Sequence, residues 1–327
     1  MKVQAMSSEL LYLSNADIQE MTISPREARE ALLACFRDNA LGRNIGLPKS
    51  AISIGHDVGS WFLSTSSASE ANSIAAMKWV GVVEGNQTTP RVNGLVCVSD
   101  YKTGAPVAVL DANSITLIRT AAMSTAAALY LAPETPRTIA LVGCGLQALS
   151  HLEAFRDLFP TLRNISLLSR SVGSAERIAA AASEMRLNAV IAKTPDELLS
   201  EADIVVSMVP SSPGLKSFLD ARLLPDSSFV AAIDGSRSWR SETLTAFDRL
   251  VTDSLEQDKS PVDESQRHVD SVSYQDDLVH LALHPPGSRA PLRALFSFRG
   301  FVIADLALAD LVIRKARALG IGTILPR

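Results

Sequence analysis

A short apolar run, Thr138-Ile-Ala-Leu-Val142, leads directly into Gly143-Cys-Gly145-Leu-Gln-Ala148, and an apolar-periodic stretch follows to about residue 158. This strand, glycine turn and helix constrain the fold more than anything else in the chain. The first glycine permits a tight turn, the second lets a ligand approach the backbone, and the small third residue lets helix pack on strand. The N–H groups at the helix start are left free to face an anion. In this setting the pattern GxGxxA is a dinucleotide-binding fingerprint, which nominates Gly143, Gly145, Leu146 and Gln147 as cofactor contacts. The competing reading is a tight turn in some other α/β protein.

Downstream, strand and helix signals alternate. Residues 164–168, 189–192, 204–208, 229–234 and 250–252 read as strands, with a helix over 174–185. Buried apolar strands alternating with helices predict a parallel sheet covered on both faces, the doubly wound Rossmann arrangement. The second strand ends in Leu168-Ser169-Arg170-Ser171. A carboxylate there would repel a 2′-phosphate, whereas Ser169 and Arg170 can bind one through a hydroxyl and a guanidinium. NADP(H) is therefore the preferred cofactor, with NAD(H) left open and a solvated Arg170 as the bland reading. The run 204–210 ends in small residues, and Ser207 and Val209 are nominated as further cofactor contacts.

The first third differs. A helix is expected over 23–39, with Ser24 as N-cap and Pro25 at its first position. Runs at 50–54, 60–64, 74–83, 94–99 and 107–110 read as a meander of strands. Residues 114–131 read as one long helix with Thr116 as its cap, and 301–319 as a last helix stopped by Gly320. The polar stretch 253–291 resists assignment.

At 327 residues the chain suits two domains rather than one core. The net charge of −4 speaks against nucleic-acid binding. No apolar run approaches the ~18 residues of a membrane span, and the N-terminus lacks a signal-peptide layout. Three scattered cysteines argue against a disulfide framework or a zinc cluster and for a reducing, cytoplasmic setting.

Three basic residues stand in unusual contexts. Lys78 interrupts the apolar strand Ala75-Ala-Met-Lys-Trp-Val-Gly81, Arg119 interrupts an apolar helix, and Lys49 follows Pro48 just ahead of a strand. A buried cation is costly unless paired, and a bound carboxylate or phosphate is one partner. A structural ion pair or a surface position is the alternative for each.

Taken in order, Lys78-Trp-Val-Gly81, Gly85-Asn86, Asp100-Tyr-Lys-Thr-Gly-Ala-Pro106, Thr116-Leu-Ile-Arg-Thr-Ala-Ala122 and Val142-Gly-Cys-Gly-Leu-Gln147 resemble the ornithine cyclodeaminase/μ-crystallin family. So do Arg240-Ser-Glu242, Asp305-Leu-Ala-Leu-Ala309 and Gly320-Ile-Gly-Thr323. The resemblance covers nearly the whole chain. It implies a homodimer in which an α+β domain, built from residues 1–133 and 302–327, binds substrate and pairs subunits. Residues 134–301 would form the Rossmann domain. It also implies that Lys78 holds the substrate carboxylate, that Arg119 serves both carboxylate and cofactor phosphate, and that Thr120 faces the cofactor. Lys49 stands near the place of a family arginine that binds carboxylate. The chemistry implied is hydride transfer at a carbon–nitrogen centre of a small amino or imino acid.

The pattern breaks in two places. Where cyclodeaminases carry a catalytic aspartate, counting back from Arg240 and Glu242 gives Ser236, which cannot act as a carboxylate base. Asp234 lies two residues earlier and is the substitute candidate. The family's Phe-Asp-Ser-x-Gly becomes Phe296-Ser-Phe-Arg-Gly300. Two cations, Arg237 and Arg299, are gained, and suit a substrate with more than one carboxylate unless they are merely solvated. These departures favour an amino-acid dehydrogenase or ketimine reductase, including the 2,3-diaminopropionate-forming type. An ornithine or lysine cyclodeaminase and a non-enzymatic NADPH-binding protein are the alternatives.

Overall fold

Local signals place the elements, and two sheets collect them. The computed structural model describes residues 9–52, 60–83, 92–210, 214–258, 272–287 and 291–327. Gly85 and Asn86, and the end of the strand expected at 50–54, lie outside these residues.

In the first half the strands are β1 (Glu9–Leu13), β2 (Asn44–Gly46), β3 (Ser50–Ile52), β4 (Ser60–Ser69), β5 (Ile74–Val83), β6 (Val92–Asp100) and β7 (Pro106–Asp111). Helices α1 (Asn15–Glu20) and α2 (Pro25–Ala40) follow β1, and α3 (Ala112–Leu131) follows β7. The start of α2 is a capping box: Ser24 Oγ accepts from the Glu27 N–H while the Glu27 carboxylate accepts from the Ser24 N–H. Helix α3 begins earlier than expected. Asp111 accepts from the Asn113 N–H, so the stop-and-start chemistry lies at Asp111, and Thr116 is inside the helix rather than its cap.

The second half supplies β8 (Thr138–Val142), α4 (Leu146–Leu158), β9 (Asn164–Leu168), α5 (Val172–Glu184), β10 (Asn188–Ile191), α6 (Pro195–Leu199), β11 (Ile204–Ser207), β12 (Ser228–Ala232), β13 (Arg249–Thr252), α7 (Leu255–Asp258), β14 (Asp276–Asp277), α8 (Leu278–Leu283) and β15 (Arg293–Ser297). The chain closes with α9 (Ile303–Leu319), ended by Gly320 in the left-handed conformation, and β16 (Thr323–Pro326).

One sheet runs β16-β1-β7-β6-β5-β4-β2, with β3 also on β4, and is antiparallel except for the β1–β7 pair. It joins both chain ends. The other runs β10-β9-β8-β11-β12-β15-β13-β14 and is parallel throughout. The strand order reverses between β8 and β11, the switch point at which open parallel sheets bind ligands. β11 and β12 are buried along their whole length, as strands covered on both faces must be.

The chain divides into two compact units. One holds the described residues up to Arg119 and from Phe301 onward; the other holds those from Thr120 to Gly300. In the first unit α9 packs on α2 and on β4 and β5. Contrary to the expectation that no segment reaches membrane-spanning length, α3 does so by length and composition. It is a core helix, with 72% of its most apolar window buried.

Candidate functional site

Strand β5 inverts the usual alternation of a half-covered sheet. Trp79 and Met77 are exposed at 40% and 44%, whereas Lys78 between them is 5% exposed. Its ammonium donates to Thr116 Oγ1 on α3 at 2.7 Å and to Asp305 Oδ1 on α9 at 3.1 Å. Arg119, one turn further along α3, reaches the same carboxylate, with Nε 3.3 Å from Asp305 Oδ1. Two buried cations thus share one buried anion. Burial pushes the Lys78 ammonium down to about 8, helped by Arg119 and Lys49 and opposed by Asp305. Burial pushes the Asp305 carboxyl up, but the pull of Lys78, Arg119 and Lys49 overrides it and the net direction is down. Lys49 itself is exposed, between β2 and β3, and its field reaches both groups.

An ammonium has three N–H bonds, and two are committed to Thr116 and Asp305. Thr65, in register opposite Lys78 on β4, carries a buried hydroxyl oxygen without a hydrogen-bond partner. One ammonium proton is spare, and among the described residues the Thr65 hydroxyl is unsatisfied. Such a cluster accepts a carboxylate. The sequence nominated Lys78, Arg119 and Lys49, and the first unit brings them around Asp305. Asp305 and Thr65 escaped it. Asp305 is 227 residues from Lys78, and although it opens one of the segments that carry the family resemblance, nothing in the sequence joined it to Lys78.

The second unit contains the glycine turn. Gly143 has φ of +95°, and a Cβ there would lie 2.9 Å from the Met208 carbonyl oxygen, so only glycine fits. Gly145 is the N-cap of α4 without a side-chain cap, and a Cβ there meets nothing within 4 Å. The open space and the free N–H groups fit a nucleotide pyrophosphate. Leu146 is 76% exposed beside it, and Gln147 Oε1 is buried without a hydrogen-bond partner. Cys144 is buried within the turn, and Arg177 of α5, which the sequence did not nominate, donates to its carbonyl at 3.3 Å. Ser169 and exposed Arg170 follow β9, where Ser169 Oγ accepts from the Ser171 N–H at 3.2 Å. Thr120 is buried, and its carbonyl accepts from Ser124 Oγ.

The residues after β11 and β12 form one hydrogen-bonded knot. Asp234 is 2% exposed; Oδ1 accepts from Ser207 Oγ at 3.0 Å and from the Ser236 N–H at 3.2 Å, and Oδ2 accepts from Ser238 Oγ. Ser207 Oγ accepts in turn from Trp239 Nε1 at 3.0 Å. Burial raises the Asp234 carboxyl, against the hydrogen bonds from Ser238 and Ser207, the charge of Arg237 and the Val209 backbone N–H. The Ser207 hydroxyl is therefore used inside the fold rather than turned to a ligand. Asp234 organises the turn, with its oxygens engaged. Ser236 is half-buried, has φ of +67°, and its hydroxyl lies 3.3 Å from Ser297 Oγ.

The profile of the ornithine cyclodeaminase/mu-crystallin family matches residues 9–319. The chain belongs to this family. Alanine dehydrogenase of Archaeoglobus fulgidus is 26% identical over 96% of this chain and 98% of its own length. N-((2S)-2-amino-2-carboxyethyl)-L-glutamate dehydrogenase of Staphylococcus aureus is 21% identical over 98% of this chain and 99% of its own. Among solved structures, Thermococcus litoralis Δ1-pyrroline-2-carboxylate reductase in complex with NADH and L-proline superposes with a TM-score of 0.82 at 22% identity, over 96% of this chain and 99% of that one. An archaeal alanine dehydrogenase dimer with bound NAD gives 0.84 at 24% identity, over 97% and 99%. These superpositions establish the shared fold.

Proposed function

We propose that this family member is an NAD(P)-dependent oxidoreductase acting at the C–N bond of a small amino acid or its imine. The observation that carries the reading is the buried Lys78–Asp305–Arg119 cluster, in which Lys78 keeps one ammonium proton to spare. Lys78, Arg119 and Lys49 hold the substrate carboxylate by charge and hydrogen bonding. Gly143, Gly145, Leu146 and Gln147 hold the cofactor pyrophosphate, with Arg119 and Thr120 as further contacts and Val209 beside the switch point. Residues 1–133 and 302–327 are assigned to substrate and 134–301 to cofactor.

When bound by the residues named above, a nicotinamide cofactor would supply or accept the hydride at the carbon of the C–N bond. In the reducing direction the nitrogen takes one proton. Lys78, with its ammonium near 8, is matched to give that proton near neutral pH and to recover it from solvent. Ser236 can hydrogen-bond the substrate but carries no usable base, and Asp234 keeps its turn in shape. Exposed Arg170, which makes no side-chain hydrogen bond or ion pair with a described residue, and Ser169 favour NADP(H) over NAD(H), although the two solved relatives named above hold NADH and NAD. The relatives' names support the reaction class, and the diaminopropionate-forming type is one member of it.

A homodimer is also proposed. Phe62 and Trp79 stack at 5.7 Å on the outer face of the first sheet, with Met77 and Leu95 exposed beside them. A second copy is the covering this apolar patch suits. The test of function is steady-state oxidation of NADPH and NADH against 2-oxo acids with ammonia, cyclic ketimines and N-carboxyalkyl imines. Turnover with at least one class is expected, and its absence across all of them refutes the reading.

A further inference from the structure

The buried face of β4 carries three hydroxyls in alternation, from Thr65, Ser67 and Ser69. Two of them are used inside the fold. Ser69 Oγ accepts from the Asn72 N–H at 2.9 Å, and Ser67 Oγ donates to the Ala76 carbonyl at 3.5 Å. Thr65 is 8% exposed, and its Oγ1 has no hydrogen-bond partner among the described residues. A buried hydroxyl left unsatisfied works against folding. Valine has the same shape with a methyl in place of the hydroxyl and suits a strand equally well. Neither strand formation nor packing accounts for the oxygen at this position.

Its neighbour supplies the reason. Thr65 pairs with Lys78 across the β4–β5 ladder, so the two side chains stand on one face with Cβ atoms about 5 Å apart. Lys78 donates to Thr116 Oγ1 and Asp305 Oδ1 and keeps one N–H. An uncommitted O–H thus stands beside an uncommitted ammonium N–H. An oxygen bearing negative charge can accept from both at once. An imine nitrogen offers a single lone pair, and an ammonium offers none. Thr65, Lys78, Thr116 and Asp305 all belong to the first compact unit, whose internal geometry alone sets this pair of donors.

We propose that Thr65 is a substrate-binding residue, whose hydroxyl donates to the same carboxylate oxygen that takes the remaining Lys78 N–H. This rests on the oxidoreductase reading above. The carboxylate is unchanged between imine and amine, so the contact holds ground state and transition state alike and acts on KM rather than kcat. The hydroxyl is kept for binding at the expense of the ligand-free fold.

The test compares Thr65→Val and Thr65→Ser with the wild type, each as the full chain. In thermal melts without ligand, Thr65→Val is expected to raise the midpoint by about 2 °C or more, because it removes the unsatisfied group. Calorimetry with propionate as the probe should show binding to the wild type, about tenfold weaker binding to Thr65→Val, and recovery of most of that loss in Thr65→Ser, which keeps the hydroxyl. For any amino or imino acid that the wild type turns over, KM should rise about tenfold in Thr65→Val while kcat stays within about threefold. A lower midpoint or loss of folding in Thr65→Val assigns the hydroxyl to the fold or to a bound water and overturns the proposal. Equal propionate affinity in Thr65→Val and the wild type also overturns it, as does a wild type that does not bind propionate. If any of these results appears while imine reduction proceeds, the proposal alone fails. If the wild type binds neither propionate nor a nicotinamide cofactor, the oxidoreductase reading fails with it.

Discussion

Lys78 Nζ and Asp305 Oδ1 lie 3.1 Å apart, both buried, and the contact ties β5 to α9 across most of the sequence. The same Oδ1 also lies 3.3 Å from Arg119 Nε, so one buried carboxylate serves both cations. It does two jobs with one group, holding the final helix to the first sheet and keeping Lys78 protonated near neutral pH.

Asp305→Asn is expected to cost about 3 kcal/mol of stability, because it takes from the buried Lys78 ammonium its counter-charge. The remaining Lys78 ammonium is less favoured, so its titration moves below about 8. In the wild type kcat/KM should fall as pH rises through that region, about tenfold per unit beyond it, since neutral Lys78 neither holds a carboxylate nor gives a proton. In the variant the same limb should appear at lower pH. Urea melts and a pH–rate profile check the two halves separately.

The two turn glycines should respond differently. Gly143→Ala forces a side chain into a left-handed conformation and against the Met208 carbonyl, so stability should fall by about 2 kcal/mol. Gly145→Ala meets open space at a φ of −80°, so the melting temperature should hold while cofactor affinity drops by about tenfold. Calorimetry with NADPH and NADH on each variant, beside a thermal melt, separates folding from binding. The same titrations on the wild type give the cofactor preference assigned to Ser169 and Arg170.

His151 lies in the core with its Nδ1 2.7 Å from the Gln147 carbonyl and Nε2 3.0 Å from Ser124 Oγ. A carbonyl only accepts, so Nδ1 carries the proton and Nε2 is the acceptor nitrogen, with the one Ser124 hydroxyl proton shared between it and the Thr120 carbonyl. Burial lowers its protonation to about 4 from an ordinary 6.5. Between those values the unfolded chain binds a proton that the folded one refuses, so stability falls as pH drops through 6.5 and levels off below about 4. The full loss is about 3 kcal/mol. His151→Gln should remove that part of the slope. Denaturant melts from pH 7 to pH 4 on both proteins measure it, and identical slopes contradict the assignment.

Much of this was legible in the sequence because it depends on neighbours in the chain. The glycine turn, the Ser24–Glu27 cap and β5 follow from local chemistry and periodicity, and Lys78 stood out as a charge in an apolar strand. What escaped depends on distant partners. β1 finds β7 and β16 through long-range pairing, and β15 inserts between β12 and β13 after a polar stretch without periodicity. Thr116 looked like a helix cap, but its hydroxyl serves Lys78. Ser207 looked like a cofactor contact at a strand end, but the indole of Trp239 and the carboxylate of Asp234, both from the next turn, claim its hydroxyl.

The outer face of the first sheet makes its own prediction. Trp79→Asp should leave the fold intact, since the ring is already exposed, and turn a dimer into a monomer at micromolar concentration. Sedimentation velocity on both proteins reports this, and an unchanged sedimentation coefficient rules the patch out as the interface.

The central claim is hydride transfer at a carbon bonded to nitrogen. It is tested most directly by following deuterium from a reduced nicotinamide cofactor labelled at its transferable position into product, using 2-oxo acids with ammonia and cyclic ketimines. The account predicts an amino acid carrying one deuterium on its α-carbon, formed in step with cofactor oxidation and lost in Lys78→Met. Amino acid without deuterium, or bound cofactor that never transfers its label to any of these substrates, would contradict it.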